Sequence, residues 1–298
     1  MEKYSVLMAV YHKEKPEHFR MAVESMLGQT VPPDEFVLVC DGPLTQPLDA
    51  WIAEFCRREP SLFRIVRLEK NGGLGPALNI GLQQCRNELV ARMDSDDIAL
   101  PRRMEMQLEA LEKYPHVSVL GGQIGEFQGD SNQIHAYRTV PLEEDEIRQF
   151  LRFRNPMNHM TVVLRRSHVL KVGNYQDVPG FEDYVLWAKL LSEGYALRNI
   201  RQVCCRARAD ASIYSRRGGV RYFRNTVVME QYLLRQGLIC RGQFWRNIAV
   251  RFGGTILLPA PFRRTVFLGF LRRKTLAGVS SPVSPWDLRV RSEGYLKQ

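Results

Sequence analysis

The 298-residue chain has no apolar run of the roughly 18 residues that a bilayer-spanning helix needs. It also lacks the cysteine spacings of metal ribbons and disulfide scaffolds. Its six cysteines, at 40, 56, 85, 204, 205 and 240, form no Cys-x-x-Cys pair and no zinc pattern. They read as buried or incidental thiols of a reducing compartment. Met1-Glu2-Lys3-Tyr4-Ser5 leads straight into an apolar strand, without the basic, apolar and small-residue zones of a secretory leader. A cytoplasmic location is the expectation. There is no internal repeat and no low-complexity segment. The Gly-rich run Asn71-Gly72-Gly73-Leu74-Gly75 is no Walker loop, because no Gly-Lys-Ser/Thr follows. It is a poor dinucleotide fingerprint too, with Leu78 where the third glycine belongs.

Acid is scarce at one end. Residues 216–298 hold 16 Lys+Arg against 3 Asp+Glu, whereas the preceding 215 residues hold 26 against 29. The net charge of +10 is therefore a property of the tail, which points to an anionic surface partner, lipid or nucleic acid. Trp245, Phe252 and Phe262 stand among the tail's arginines, but no nucleic-acid-binding motif accompanies them. Anionic lipid is the expected partner, and nucleic acid is not.

An apolar share of 45% is ample for a core, and the length suggests one large domain or two smaller ones. Apolar strand runs at 4–10, 36–40, 63–68 and 88–93 alternate with segments of helical periodicity. One helix carries Phe19, Ala22, Val23 and Met26, the next Leu48, Trp51, Ile52 and Phe55, and a third covers 77–85. This alternation predicts an α/β fold: a mainly parallel, Rossmann-like sheet with helices on both faces. The second half is less regular. Helices are expected around Met104–Leu111, at 147–151 and at 184–191, and strands at 117–120, 161–164, 196–200 and 203–208. Beyond residue 217 the pattern turns to basic amphipathic helices, so the expected domains are 1–217 (a nucleotide-binding half to 100, an acceptor half after it) and a helical tail, 218–298.

The chain is organised around Arg92-Met93-Asp94-Ser95-Asp96-Asp97. Three carboxylates in four residues follow a strand and precede a helix. Near neutral pH a cation can hold such a group together, and oxygen ligands suit Mg²⁺ or Mn²⁺. Mg²⁺ usually takes one or two carboxylates and completes its shell with substrate phosphates, which points to a nucleoside diphosphate. The plainer reading is acid decorating a helix start, favoured by the helix dipole. Ligands on doubly wound sheets bind beyond the carboxyl ends of the strands. Val10-Tyr11, Asp41, the Gly-rich loop and Asp94–Asp97 all follow strand ends and are expected to share one rim.

Each further candidate has a plain alternative. Asp41 before Gly42 could accept a pyrimidine imide N–H or simply make a turn. Asn71 and Gly72 could bring backbone amides to a phosphate or ribose, or form a flexible loop. Glu182-Asp183 begins a helix after Pro179-Gly180; Asp183 could act as a general base, as the helix cap, or both. His159 could meet a phosphate or satisfy a core hydrogen bond.

Taken in order, VLMAVYHKEKPEHFRMAVESMLGQT, FVLVCDG, NGGLGPALNIGL, ARMDSDDIALPRR and FEDYVLWAKL resemble family 2 glycosyltransferases of the GT-A fold. The resemblance covers residues 4–217. It implies that Asp94 and Asp96 form a DxD pair, with Asp96 on the metal and Asp94 on the ribose and metal. It further implies that Asp41 reads the base beside Val10 and Tyr11, and that Asp183, with Glu182 as the next candidate, is the base. Arg92, Ser95 and His159 fall on the nucleotide-sugar side. The opening Ala9-Val10-Tyr11-His12 departs from the commoner Pro-Val-Tyr-Asn. The QxxRW signature of processive members is absent, so one sugar per encounter is expected. The implied enzyme is metal-dependent and inverting. It moves a hexose from a UDP-hexose, UDP-galactose first, to a polyprenyl-linked saccharide at the inner face of the membrane. A dTDP-rhamnose or UDP-N-acetylhexosamine transferase is the nearer rival. A nucleotidyltransferase is the more distant one, because the chain lacks a basic Gly-rich opening motif.

Overall fold

A computed structural model describes residues 2–209 and 218–257. The first strand, β1 (Tyr4–Val10), lies between β2 (Glu35–Cys40) and β4 (Leu89–Met93), and β3 (Phe63–Arg67) flanks β2, all parallel. Their connections are α1 (Pro16–Leu27), α2 (Gln46–Arg58) and α3 (Leu74–Gln84). These are right-sized crossovers for parallel neighbours. The unbroken apolar runs of β1 and β2 follow from burial on both faces. Leu7, Val37 and Val39 enter one core with α3, while Val6, Met8, Phe36 and Leu38 enter the other with α1 and α2. At Gly81 the α3 helix sits so close to the sheet that a Cβ would come within 2.4 Å of the Leu7 side chain.

The second half of the sheet is mixed. The two-residue β5 (Ile98–Ala99) and α4 (Arg103–Lys113) lead into β6 (Val117–Phe127), followed by β7 (Ile134–Arg138), α5 (Glu144–Leu151), β8 (Val163–Arg165) and α6 (Arg166–Lys171). Then come α7 (Glu182–Ser192) and β9 (Ala196–Arg208). The strand order is β3-β2-β1-β4-β8-β6-β9-β5, with β7 on β6. Strand β8 is antiparallel to both β4 and β6, and joins the parallel half to the rest.

Several expectations are corrected here. The strand expected at 161–164 is split: His159–Thr161 forms a 3₁₀ turn and β8 begins at Val163. The two strands expected at 196–200 and 203–208 are one long bent strand, β9, whose register against β6 slips between Gly121 and Ile124. Polar Arg201-Gln202 read as a break, yet here they only bend a ladder that continues. Strand β7, with alternating but weakly apolar residues, and the short α6 are additional elements.

Beyond the sheet, α8 (Val220–Arg235) and α9 (Arg241–Phe252) form a helical pair. Met229, Leu233, Ile239 and Phe244 from this pair enter the same core as Trp187 and Leu190 of α7. Helical periodicity at the start of the tail therefore marks helices packed on the sheet domain. A chain ended at Gly219 would uncover that face of α7. The expected basic tail from residue 258 onward, including Phe262, lies outside the described residues.

Candidate active site

Register brings the strand ends together. Val10 pairs with Cys40, and Met8 with Met93, so the segments that follow β1, β2 and β4 emerge along one rim. The Asp41 N–H donates to the Val10 carbonyl at 2.8 Å. The Val10 side chain itself is core, 1% exposed, so this residue reaches the rim through its backbone. Tyr11 is half-buried beside exposed His12.

Asp41 is buried and takes three donors: the Gly72 N–H at 2.7 Å, the Gly73 N–H at 3.0 Å and Asn71 Nδ2 at 2.9 Å. The Gly-rich loop is thus tied to the end of β2 by one carboxylate. The adjoining Gly42 has φ +85°, and a Cβ there would stand 2.6 Å from the Asn71 nitrogen. Only glycine fits that combination of positive φ and close approach. Asn71 and Gly72 are exposed on the rim. A carboxylate has about four lone-pair sites, so Asp41 keeps acceptor capacity beyond these three bonds.

The acid cluster occupies the turn between β4 and β5. Ser95 donates to Glu14 Oε2 at 2.9 Å, which ties this turn to the loop after β1. Glu14 escaped the sequence reading, because its segment carries ordinary surface charges and only the fold sets it beside Ser95. Asp97 is buried and accepts the Arg208 N–H at 2.8 Å, locking the turn to the end of β9. Asp94 remains 28% exposed and bonds to Arg92 Nη2. Burial, then the neighbouring charges of Asp94 and Glu14, push the Asp96 carboxyl up to about 7. That crowding of negative charge is what a bound cation relieves. Among the described residues no three His, Cys, Asp or Glu side chains converge as a complete cage. The donor set fits a hard divalent ion that takes one or two carboxylates here and its remaining oxygens elsewhere.

Arg92 is 1% exposed, and its Nε and Nη1 have no hydrogen-bond partner. Its charge acts on Asp94, Asp96 and Asp97 and also on Glu182 and Asp183. The two acidic groups, far apart in sequence, both feel this one guanidinium, which is bonded to Asp94. Behind it, the Arg103 Nη2 donates to the Arg92 carbonyl at 2.9 Å while Nε donates to Gln107 Oε1 at 2.9 Å. His159 is buried. Its Nε2 lies 3.0 Å from the Tyr175 hydroxyl, and its ring meets Trp187 edge-on. Burial first, then Arg92, holds its pKa well below the usual histidine range, so the ring is neutral. Its contacts are those of the core hydrogen-bond alternative.

Helix α7 starts two residues earlier than an Asp183 cap requires. Phe181 holds the cap position, and Asp183 lies inside the first turn with its Oδ1 accepting the Tyr184 N–H at 2.7 Å. That corrects the capping alternative. The Asp183 Oδ2 accepts Asn155 Nδ2 at 2.5 Å. Glu182 Oε2 accepts the Gly180 N–H at 2.9 Å, and the Glu182 stem lies against Gly75 of α3, where a Cβ would approach within 3.0 Å. Burial raises both carboxyl pKa values above their ordinary range, with Asn155 and Arg92 acting against that rise at Asp183.

Residues 5–173 match the family described as glycosyl transferase family 2. The chain belongs to glycosyltransferase family 2. It is 41% identical over 224 residues to the amylovoran biosynthesis glycosyltransferase AmsE of Erwinia amylovora, covering 75% of this chain and 83% of that protein. It is 35% identical over 271 residues to the UDP-Gal:alpha-D-GlcNAc-diphosphoundecaprenol beta-1,3-galactosyltransferase of Escherichia coli, covering 91% and 97%. The mannosyltransferase PcManGT of Pyrobaculum calidifontis, solved with GDP-Man and Mn²⁺, shares the fold with a TM-score of 0.61 at 16% identity, over 88% of this chain and 72% of that one. The fold of this family 2 glycosyltransferase is GT-A, as its sequence resemblance implied.

Proposed function

We propose that the chain is a metal-dependent, inverting hexosyltransferase of bacterial surface-polysaccharide synthesis. It moves one hexose from UDP-galactose, or another UDP-hexose, to a saccharide carried on a polyprenyl diphosphate. The observation that carries this reading is the buried Arg92, bonded to Asp94 of the acidic turn, with its charge also felt at the Glu182-Asp183 helix start. Kinship to a transferase named for UDP-Gal and a diphosphoundecaprenol acceptor supports the donor and acceptor class.

In this reading Asp96, with Asp94, holds Mn²⁺ or Mg²⁺ when bound, and the ion supplies Lewis-acid charge against the departing nucleoside diphosphate. Arg92 adds a fixed positive charge, and its unpartnered Nε and Nη1 nitrogens are the groups that would meet donor oxygens. Asp41, Asn71 and Gly72 shape the nucleoside end of the rim, beside Tyr11. Asp183 takes the proton from the acceptor hydroxyl as that oxygen attacks the anomeric carbon from the face opposite the leaving group. The new glycosidic bond forms as the bond to the diphosphate breaks, and the configuration inverts. His159 is neutral and turned to Tyr175, so it takes no proton-transfer step in this reading.

Titration calorimetry tests the donor. With Mn²⁺ present, UDP-galactose is expected to bind more tightly than UDP-N-acetylglucosamine or dTDP-rhamnose, and a chelator is expected to abolish the heat. Turnover of a nucleoside triphosphate with release of pyrophosphate would instead identify a nucleotidyltransferase.

Peripheral attachment to the inner leaflet follows from the helical pair and the basic segment after it. Helix α9 exposes Trp245, at 67%, and Phe252 beside Arg241 on one flank, and Val250 beside Arg246 on another. An apolar edge with basic neighbours suits the headgroup layer, and each Lys or Arg near an anionic surface contributes about 1 kcal/mol. No helix among the described residues is long and apolar enough to cross a membrane. In flotation assays the full chain is expected to bind anionic vesicles, to leave them at high salt and to bind neutral vesicles weakly. A chain ended at Leu257, which keeps the core helices, is expected to bind less. Full-length protein that ignores anionic vesicles would remove the membrane from this reading.

A further inference from the structure

The α8–α9 pair has a polar connection to the site that core packing does not require. Glu230 of α8 is fully buried, 3.0 Å from Arg251 Nε, and accepts Asn247 Nδ2 at 3.0 Å. Both partners also reach out of the pair. Asn247 Nδ2 donates to the Arg152 carbonyl at 2.8 Å, and Arg251 Nη2 donates to the Phe153 carbonyl at 2.9 Å. The Arg246 guanidinium lies 4.4 Å from the centre of the Phe153 ring. Two residues further on, Asn155 donates from Nδ2 to Asp183 and accepts the Met157 N–H on Oδ1 at 3.1 Å. From the other side Arg138 Nη2 donates to the Asn155 carbonyl at 3.1 Å. A continuous chain of bonds thus runs from the interior of the helical pair, through residues 152–155, to one carboxylate oxygen of α7.

We propose that α8 and α9 are part of the catalytic apparatus: Asn247 and Arg251 fix the 152–155 segment so that Asn155 holds Asp183 in its working orientation. This rests on the reading of Asp183 as the base. Asn155, Asn247 and Arg251 are positioning residues, because none of them needs to touch a reacting atom. The physical grounds are threefold. A buried ion pair such as Glu230–Arg251 gives little net stability against apolar isosteres, so its pairing with two specific carbonyls is better accounted for by the geometry it fixes. The 152–158 segment has no helix or strand of its own before the 3₁₀ turn, and its carbonyls need outside donors to hold one course. The Asn155 bond on Oδ2 adds to the Tyr184 bond on Oδ1 in setting the Asp183 carboxylate, and proton transfer depends steeply on such placement.

The test compares Asn155→Ala, Asn155→Gln, Arg251→Lys and Asp183→Asn in the full chain. Each is followed by steady-state kinetics, a pH profile and a melting curve. Lysine at 251 keeps a charge opposite Glu230 but has no fork to hold Glu230 and a carbonyl together, and the melting curve reports whether the fold is kept. Asn155→Ala is expected to lower kcat by about 10- to 100-fold with donor KM unchanged, and to move the acid limb of the profile to higher pH. The limb is set by Asp183 among Arg92 of β4, Arg138 of β7, Tyr175 of the preceding loop, and Glu182 and Tyr184 of its own helix. Losing the Asn155 bond leaves the charged form less favoured. Asn155→Gln keeps an amide donor and is expected to recover part of the rate. Arg251→Lys is expected to repeat the same kcat loss and limb displacement at smaller size. A wild-type profile for Asn155→Ala or for Arg251→Lys overturns the proposal. So does an Arg251→Lys loss that only follows a lowered melting temperature while the limb stays in place. Transfer that survives in Asp183→Asn shows instead that the base reading has failed, and the positioning role falls with it.

Discussion

Asp183→Asn is expected to lower transfer by about 10²- to 10⁴-fold, the usual contribution of a positioned general base, while donor binding measured by calorimetry stays at its wild-type value. Asparagine preserves the shape of the side chain and can still accept the Tyr184 N–H, the bond that Asp183 makes at 2.7 Å. What it cannot do is take the proton of an acceptor hydroxyl. The pH dependence gives an independent sign. Burial raises the Asp183 pKa, and a base works only when deprotonated. Wild-type transfer is therefore fully present above that raised value and falls as pH drops through it, starting at higher pH than an ordinary carboxylate near ~3.9 would give. Normal turnover in Asp183→Asn would move the base role to Glu182, which is also raised by burial and lies on the same turn.

Asp96→Ala carries the second large effect. Metal-dependent donor binding should disappear, and kcat/KM should fall by at least ~100-fold, because metal ions supply several kcal/mol of charge stabilisation to such reactions. The removed carboxyl is the one crowded by Asp94 and Glu14, so the substitution also relieves repulsion and should not unfold the turn. Asp97 keeps its bond to the Arg208 N–H and Ser95 keeps Glu14. Donor affinity that is unchanged by Asp96→Ala and insensitive to chelator would rule out this turn as the metal site.

The strand ends were legible because their signals are local. An apolar run followed by Asp41-Gly42, or by Asp94-Ser95-Asp96-Asp97, declares both the strand and the turn that ends it. Register then does the assembling: Val10 beside Cys40 and Met8 beside Met93 leave those turns no choice but to share an edge. Strand β9 was less legible, because its bend at Arg201-Gln202 reads in one dimension like a break. The roles within the rim were harder still. Asp41 proves to be a bonded anchor of the 71–73 loop as well as a rim residue. His159 proves to be enclosed by Tyr175 and Trp187. Neither outcome has a signature in spacing, since both depend on which side chains arrive from distant segments.

The sequence by itself determined the parallel first half of the sheet, the order of its crossovers, the acidic turn after β4 and family membership, because each rests on periodicity or on residues within a few positions of one another. Only the tertiary structure decided that the Arg92 charge reaches both acidic groups, that Glu14 joins the turn through Ser95, and that α8 and α9 belong to the core and bond to the segment holding Asn155 against Asp183. The physical reason is that hydrogen bonds and charge effects act over a few ångströms in space. The partners concerned stand 81 residues apart for Glu14 and Ser95, 95 for Arg152 and Asn247, and 98 for Phe153 and Arg251, and nothing in a linear pattern encodes which of them will meet.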